Sequence, residues 1–205
     1  MTLAVLDAAV ASRAVTAALA EDLGAEGDVT SRATIPEDRK GRARFVTREP
    51  LTLAGLPIAR EVFRQLDATL VFRSERTDGD TLAAGATVAI VEGSARRLLE
   101  GERTALNFLQ RLSGIATATR AAVDEVSGTG VTILDTRKTV PGLRALDKYA
   151  VATGGGTNHR MGLFDAVMVK DTHLGTGGSI SDAVRNPSRR STGSGGHQPC
   201  SVCCM

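Results

Sequence analysis

The chain has 205 residues, 42% of them hydrophobic and 23% charged, which suits one large domain or two small ones with a buried core. The formal net charge of +2 and the aromatic share of 3% argue against a basic or base-stacking surface, so we expect no nucleic-acid partner. No apolar run approaches the roughly 20 residues that span a bilayer, so we also expect no membrane partner.

The N-terminal segment predicts an amphipathic helix over residues 3–23, because apolar residues recur there at mostly helical spacing. The acidic residues Asp7, Glu21 and Asp22 are atypical of a targeting peptide, and we therefore expect a cytoplasmic protein. A turn-rich acidic loop follows the helix.

The next stretch predicts a mixed α/β domain. Residues 57–66 carry an apolar stripe at helical spacing. Short β-rich runs predict strands at residues 42–48, 51–54, 69–73 and 87–91. A long helix then begins near Glu100, and its polar face includes Arg103.

From residue 131 the sequence pattern predicts alternating strands and helices. Residues 131–134 and 165–170 predict buried strands, with a helix opened by Pro141 between them and stopped by the glycines at 154–156. Residues 181–184 predict the start of another helix. This order is typical of a parallel barrel or an open parallel sheet.

Basic residues follow both predicted strands. Arg137 and Lys138 come after the first strand and Lys170 after the second, so parallel pairing would bring them to one rim that suits an anionic ligand. A solvated charge after a strand is the alternative. The glycines at 154–156, before His159 and Arg160, are compatible with a phosphate cradle or with a simple helix stop followed by a link.

Several short motifs lie in order along the chain. Upstream they are Glu21-Asp22, residues 27–31 and residues 102–108. Downstream they are residues 135–139, 141–144, 148–151, 154–156, 158–160, 162–163 and 170–171. Together, over roughly residues 5–184, they resemble the quinolinate phosphoribosyltransferase family.

The resemblance implies a fold class and a reaction. The fold is an α/β-sandwich N-terminal domain, expected at residues 1–112, followed by an incomplete parallel α/β barrel at residues 113–185, with a disordered tail at 186–205. The reaction joins quinolinate to phosphoribosyl pyrophosphate (PRPP) with Mg²⁺. It yields nicotinate mononucleotide, pyrophosphate and carbon dioxide for NAD synthesis.

The resemblance also implies site residues. Lys138, which bridges toward the PRPP phosphates, and Arg103, which Glu102 orients, are expected to be catalytic. A homodimer or higher oligomer is expected, with Arg103 reaching across the interface. The residues expected to contact substrate are Arg103, Thr136, Arg137, Lys138, His159, Arg160 and Lys170.

The likeness to the family ends near Val184. The residues that follow are rich in Arg, Ser, Gly and Cys and contain no Asp or Glu, whereas the family has acidic residues near magnesium in its later strands. This composition is typical of a shifted reading frame, and we expect that the chain alone does not catalyse. Two alternatives stay open, an inactive fragment that serves at most as a dimerisation module and a same-fold homologue with another substrate. For the tail cluster of His197, Cys200, Cys203 and Cys204 we predict no metal site.

Overall fold

A computed structural model describes residues 5–174 and residue 181 of the chain. The chain divides after His159 into two compact units. Among the described residues, no helix is long and apolar enough to cross a membrane. The predicted tail at 186–205, with its cysteines, lies outside the described residues, and so do residues 182–184 of the last predicted helix, whose Ser181 is helical.

Two small antiparallel sheets form the strand content of the first unit. The strands are β1 (Lys40–Val46), β2 (Leu51–Thr52), β3 (Val71–Ser74), β4 (Thr81–Leu82) and β5 (Thr87–Ser94). One sheet has the order β1-β5-β3, and the other pairs β2 with β4. The short β4 was not predicted from the sequence, because two residues are too few to show an alternating pattern.

Six helices accompany these strands among the described residues. They are α1 (Ala8–Leu23), α2 (Val29–Thr34), α3 (Leu56–Leu66), α4 (Ala95–Glu125), α5 (Arg144–Thr153) and α6 (Asp171–Leu174). Asp7 caps α1 by accepting hydrogen bonds from Ala9 N at 2.7 Å and Val10 N at 3.1 Å. The predicted long helix begins five residues early, because β5 runs into it with only Ser94 as the N-cap.

The core lies between the three-stranded sheet and helices α3 and α4. Strand alternation places Phe45 of β1 and Phe72 of β3 on the face that meets Phe63 of α3, with ring centroids 6.0–6.4 Å apart. At the α3–α4 crossing, a Cβ on Gly101 would lie 2.8 Å from the Phe63 ring, so glycine permits the close approach. The long helix α4 therefore joins the sheet domain to α5, which also packs on it.

Three predictions for the second half of the chain need correction. Residues 131–134 form no extended strand but one isolated parallel bridge, between Leu134 and Thr157, and residues 165–170 pair with no strand among the described residues. Leu134 and Val167 are 51% and 52% exposed, because a strand is buried only when neighbouring strands and helices cover it. Pro141 lies in a turn before α5, since Gly142 has a φ of +81°, which a helix does not accommodate.

Candidate active site

The bridge between Leu134 and Thr157 brings two predicted site segments together. Thr157 N donates to Ile133 O at 2.8 Å, and Asp135 N donates to Thr157 O at 3.1 Å. The chain after α5 therefore runs beside residues 133–135, at the start of residues 135–140, which we call the basic loop.

A buried ion pair lies at the base of the basic loop. Lys148 Nζ, on α5, is 2.5 Å from Asp135 Oδ1, and the two side chains are 1% and 5% exposed. Lys148 Nζ also donates to His159 O at 2.9 Å, and His159 N donates to Asp135 Oδ1 at 2.8 Å. In the amide orientation that satisfies both of its polar atoms, Asn158 Nδ2 donates to Asp135 Oδ2 at 2.8 Å and to Lys148 O at 2.9 Å. Asp135 is therefore fully engaged in holding the two segments together.

The tip of the basic loop carries three of the predicted site residues. Thr136 and Lys138 are exposed, and Lys138 N donates to Thr136 Oγ1 at 3.0 Å, which tightens the turn. Arg137 is half-buried, and its Nε is shielded from water without a hydrogen-bond partner among the described residues. The planar guanidinium of an arginine suits a carboxylate or phosphate oxygen, but the shielded Nε is not itself accessible to one.

A second ion pair anchors the far end of the basic loop. Arg111 of α4 donates hydrogen bonds to the carboxylate of Asp147 on α5. Its Nη2 lies 2.8 Å from Oδ1 and 2.9 Å from Oδ2, and its Nε lies 3.1 Å from Oδ1. The same carboxylate accepts a hydrogen bond from Val140 N at 3.3 Å. Arg144 Nε donates to Thr139 Oγ1 at 3.1 Å. Both ends of the loop are thus attached to α5.

Asp147 and Lys148 had no predicted role in the site. A signal for them was available, because a charged pair stands between the apolar residues Leu146 and Tyr149 on the buried side of a predicted helix. Charged residues on such a face are rarely buried unless they are paired. Only the fold shows that Asp147 pairs with Arg111 and that Lys148 pairs with Asp135.

Three further predicted residues, Arg103, Arg160 and Lys170, lie outside the basic loop in the sequence. Arg103 is exposed on α4, and no hydrogen bond links it to the basic loop among the described residues. Arg160 and Lys170 belong to the second unit. There Arg160 Nη1 donates to Ala166 O at 3.0 Å, while Lys170 is exposed directly before α6. Thr136, Arg137, Lys138 and His159 are therefore the predicted residues that the first unit brings together.

Tyr149 links α5 to the sheet domain by a hydrogen bond to Asp78. Its hydroxyl donates to Asp78 Oδ2 at 2.6 Å, and Asp78 accepts from Gly55 N at 2.7 Å and Leu56 N at 3.1 Å at the start of α3. Burial raises the pKa of Asp78, although these hydrogen bonds oppose the rise. Burial and then the Asp78 carboxylate raise the pKa of Tyr149 above its ordinary value.

A cavity of about 590 Å³ lies between α1, α4 and the start of α5. Its lining is largely apolar, with Arg13, Glu21, Asp22 and Arg111 as its charged residues. None of the predicted substrate-contacting residues lines it. The cavity is therefore separate from the basic loop.

The described residues offer no ready metal site, since no group of three or more His, Cys, Asp or Glu side chains comes together among residues 5–174 and 181. Asp135 is the acid nearest the tip of the basic loop in sequence, and Lys148 and two other donors occupy it. The residues present there do not fit a magnesium ion.

Two family models match the chain. The model described as the N-terminal domain of quinolinate phosphoribosyl transferase matches residues 28–113, and the model of its C-terminal domain matches residues 115–194. The second match reaches ten residues beyond Val184, near which the sequence placed the end of the likeness.

Curated proteins similar to this chain are named as quinolinate phosphoribosyltransferases or nicotinate-nucleotide pyrophosphorylases. The "Quinolinate phosphoribosyltransferase [decarboxylating] 1b" of Nicotiana tabacum is 47% identical over 169 residues, which is 82% of this chain and 48% of the relative. The probable carboxylating nicotinate-nucleotide pyrophosphorylase of Synechocystis is 46% identical, over 82% of this chain and 56% of the relative. The chain thus spans about half the length of the curated relatives it matches.

Solved structures match the fold over most of the chain. The nicotinate-nucleotide pyrophosphorylase of Francisella tularensis superposes with a TM-score of 0.88 at 39% identity, over 94% of this chain and 68% of that one. The corresponding protein of Ehrlichia chaffeensis gives 0.84 at 42% identity, over 89% and 66%. These matches confirm the predicted fold class, an α/β-sandwich N-terminal domain followed by an incomplete parallel α/β barrel.

Proposed function

Because the chain belongs to the quinolinate phosphoribosyltransferase family, we propose that its basic loop binds quinolinate and PRPP for phosphoribosyl transfer with decarboxylation. The products are nicotinate mononucleotide, pyrophosphate and carbon dioxide. The observation that carries the proposal is the tip of the basic loop, with Thr136 and Lys138 exposed and Arg137 half-buried, on a base held by the buried Asp135–Lys148 pair. The printed names of the relatives support the reaction.

The charge of the basic loop matches the charge of quinolinate, which carries two carboxylates. Arg137 is half-buried, and its guanidinium is a planar fork of donors that suits a carboxylate. The buried Asp135 does not repel the ligand strongly, because Lys148 neutralises its charge. The net charge offered to a ligand by this loop is therefore positive.

We assign Lys138 to the PRPP phosphates. Its side chain is exposed and makes no ion pair among the described residues, so its compact charge is free to meet a phosphate. Thr136 adds a hydroxyl beside it, although that hydroxyl already accepts from Lys138 N at 3.0 Å. His159 lies across the bridge, with its backbone tied to Asp135 and Lys148.

The proposed chemistry uses positioning and charge rather than a covalent intermediate with the protein. The bond from ribose C1 to the pyrophosphate oxygen breaks, and pyrophosphate leaves with the electron pair. The pyridine nitrogen of quinolinate gives its lone pair to the oxocarbenium-like C1. The carboxylate next to this nitrogen then leaves as carbon dioxide, and the cationic ring stabilises the electron pair left on carbon until a proton from water replaces the carboxylate.

Magnesium is the cofactor that the family resemblance implies. The described residues do not group the acidic side chains that would hold it, so we derive no step through the ion. Neutralisation of the ligand charge in the described part of the site rests on Arg137 and Lys138.

The proposal includes residues beyond the basic loop. We assign Arg160 and Lys170 to quinolinate, and Arg103 to the quinolinate site of a second subunit in a homodimer or larger oligomer. The exposure of Arg103 on α4 supports this last assignment. We also place the domain division at residues 112 and 113, near the point where the two family models meet.

Quinolinate binding and carbon dioxide release test the proposal on the purified chain. Isothermal titration calorimetry should detect quinolinate and a weaker signal for nicotinate, which lacks one carboxylate. Arg137→Ala should weaken quinolinate binding by about 1.5–3 kcal/mol, the typical value of a hydrogen bond to a charged group. Arg48→Ala, an exposed arginine in the sheet domain, is the matched control and should leave binding unchanged.

The reaction itself is followed as labelled carbon dioxide from quinolinate labelled at its 2-carboxyl group, with PRPP and Mg²⁺ present. The Francisella tularensis relative serves as the positive control. Equal binding of quinolinate to wild type and Arg137→Ala would refute the assignment of the site. Binding without carbon dioxide release would support the site and agree with the expectation that this chain alone does not catalyse, whereas release at about 0.1 per second or faster would contradict that expectation.

A further inference from the structure

We propose that Asp147 and Lys148, two adjacent residues of α5, are positioning residues that clamp the basic loop at its two ends. Lys148 holds the first end through Asp135, and Asp147 holds the last end through Val140. The inference rests on the proposed function for the identity of the ligand that the loop binds. Neither residue touches that ligand in this scheme.

The first end of the loop is held by a cation that has no access to water. Lys148 is 1% exposed, and its ammonium group contacts Asp135 Oδ1 and His159 O. A buried charge of this kind is tolerated only when it is paired and hydrogen-bonded. Loss of Lys148 would leave the Asp135 carboxylate buried without its counter-ion, and the junction with His159 would open.

The last end of the loop is held by an anion that belongs to two elements. Asp147 receives a two-pronged contact from Arg111 of α4 and a hydrogen bond of 3.3 Å from Val140 N. Arg111 therefore fixes the carboxylate against the long helix. Val140, the last residue of the loop, is positioned by the same carboxylate.

The two anchors stand in a rigid relation because they are consecutive in one helix. Neighbouring Cα atoms are about 3.8 Å apart, and their side chains diverge by about 100° around the helix axis. The four residues between Asp135 and Val140 thus have little freedom to change their span. Arg137 and Lys138 gain their positions from this span, since their own side chains are at least partly exposed.

Hydrogen exchange and ligand affinity, measured on the full chain, test the clamp. The reporters at the first end are the amides of Thr157 and His159, and the reporter at the last end is the amide of Val140. Lys148→Met should speed exchange at the first end at least about tenfold, and Asp147→Ala should do so at Val140. Each variant should also weaken quinolinate binding at least about tenfold.

Two further variants separate positioning from general loss of stability. Phe63→Leu weakens the core between α3 and the sheet, away from α5, and is compared at equal distance below its own Tm. It should leave the three reporter amides and the affinity near wild type. Asp147→Asn keeps an oxygen that accepts from Val140 N, so it should retain more affinity than Asp147→Ala.

The outcomes are distinct for the clamp and for the proposed function. If wild type does not bind quinolinate, the proposed function fails, and the exchange of the reporter amides alone decides whether the clamp exists. Reporter exchange in Lys148→Met and Asp147→Ala that matches Phe63→Leu overturns the clamp. If the reporter amides of these variants exchange faster but the affinity for quinolinate is unchanged, Asp147 and Lys148 hold the ends of the loop without positioning groups needed for binding. That result also overturns the proposal.

Discussion

Lys138 and Lys148 lie ten residues apart and have opposite environments. Lys138 is exposed at the tip of the basic loop, while Lys148 is 1% exposed and paired with Asp135. Burial of a lysine is costly unless an anion compensates it, so Lys148 serves the structure of the loop. An exposed lysine keeps its charge for an incoming anion, and Lys138 is therefore the one that we assign to a ligand.

Glu61 gives a residue-level prediction on acid stability. Arg64 donates to it through Nε at 2.5 Å and Nη2 at 2.6 Å and, with Gln65, lowers its pKa to about 2. Because the folded pKa lies below the unfolded value of about 4.5, the pair stabilises the protein above pH 4.5. That contribution is lost as the pH falls through 2.

Glu61→Gln should therefore lose less stability than wild type between pH 4.5 and pH 2, because glutamine has no proton to bind. Urea unfolding at pH 7, 4.5, 3 and 2 measures the effect. Glu37→Gln, at an exposed glutamate without an ion pair among the described residues, is the control and should follow wild type. A Glu61→Gln curve parallel to the wild-type curve would contradict the assignment.

At the scale of elements, α4 and α5 meet through a glycine. A Cβ on Gly154, just after α5, would lie 2.5 Å from Ala116 O and 2.8 Å from Thr119 Cβ, and both atoms belong to α4. Neither a backbone oxygen nor a branched Cβ moves without displacing the helix. The glycine run that the sequence offered as a phosphate cradle or a helix stop thus also sets the distance between these two helices.

Gly154→Ala should destabilise the protein by about 1–3 kcal/mol, the usual cost of overpacking a tight contact. Thermal unfolding followed by circular dichroism gives the size of the loss. Gly128→Ala provides a contrast, because no atom lies within 4 Å of its added Cβ and the cost there comes from its positive φ of 78° alone. A Gly154→Ala protein as stable as wild type would show that α4 and α5 separate easily.

The link from α5 to the start of α3 is the second element-level contact. Tyr149→Phe removes the hydroxyl that donates to Asp78, so it should cost about 1–3 kcal/mol at pH 7. Burial already raises the pKa of Asp78, and loss of this donor raises it further. A raised carboxyl pKa means that stability falls as the pH rises through that pKa. The loss of unfolding free energy caused by Tyr149→Phe should therefore be smaller near pH 4 than at pH 7.

Unfolding of Tyr149→Phe at pH 4 and pH 7 decides this point. Asp78→Asn in the same background should remove the pH dependence of the loss, since asparagine does not ionise in this range. An equal loss at both pH values would indicate that Asp78 does not change its protonation between them.

At the scale of the whole molecule, the proposed oligomer makes each site the product of two chains. One subunit supplies Arg137 and the other supplies Arg103, which is exposed on α4. Arg103→Ala and Arg137→Ala should therefore each weaken quinolinate binding when assayed alone. A refolded equal mixture should regain about one quarter of the wild-type sites, because half of the dimers are hybrids with one intact site each.

Calorimetric titration of the refolded mixture counts these sites. A mixture that binds no better than the two variants assayed alone would show that Arg103 acts within its own subunit or not at all. Analytical ultracentrifugation of the same sample confirms that hybrids can form. A monomeric wild-type chain that still binds quinolinate would contradict the shared site.

The sequence alone determined the family, most helices and the sheet-domain strands except β4. Amphipathic spacing is a local property, so α1, α3 and α4 were readable from their apolar stripes, and ordered motifs identified the family. The two strands predicted for the barrel were wrong as buried strands because burial depends on neighbours that a local pattern does not reveal.

The tertiary structure decided which charges serve the fold and which remain for a ligand. Asp135, Asp147 and Lys148 are ordinary charged residues in the sequence, and their partners lie 13 to 36 positions away. An ion pair forms through space, and its energy depends on burial and distance, which folding alone sets. The same is true of Gly154, whose role follows from the approach of α4. Composition and order therefore indicated the chemistry, and packing decided how the residues around the basic loop hold it in place.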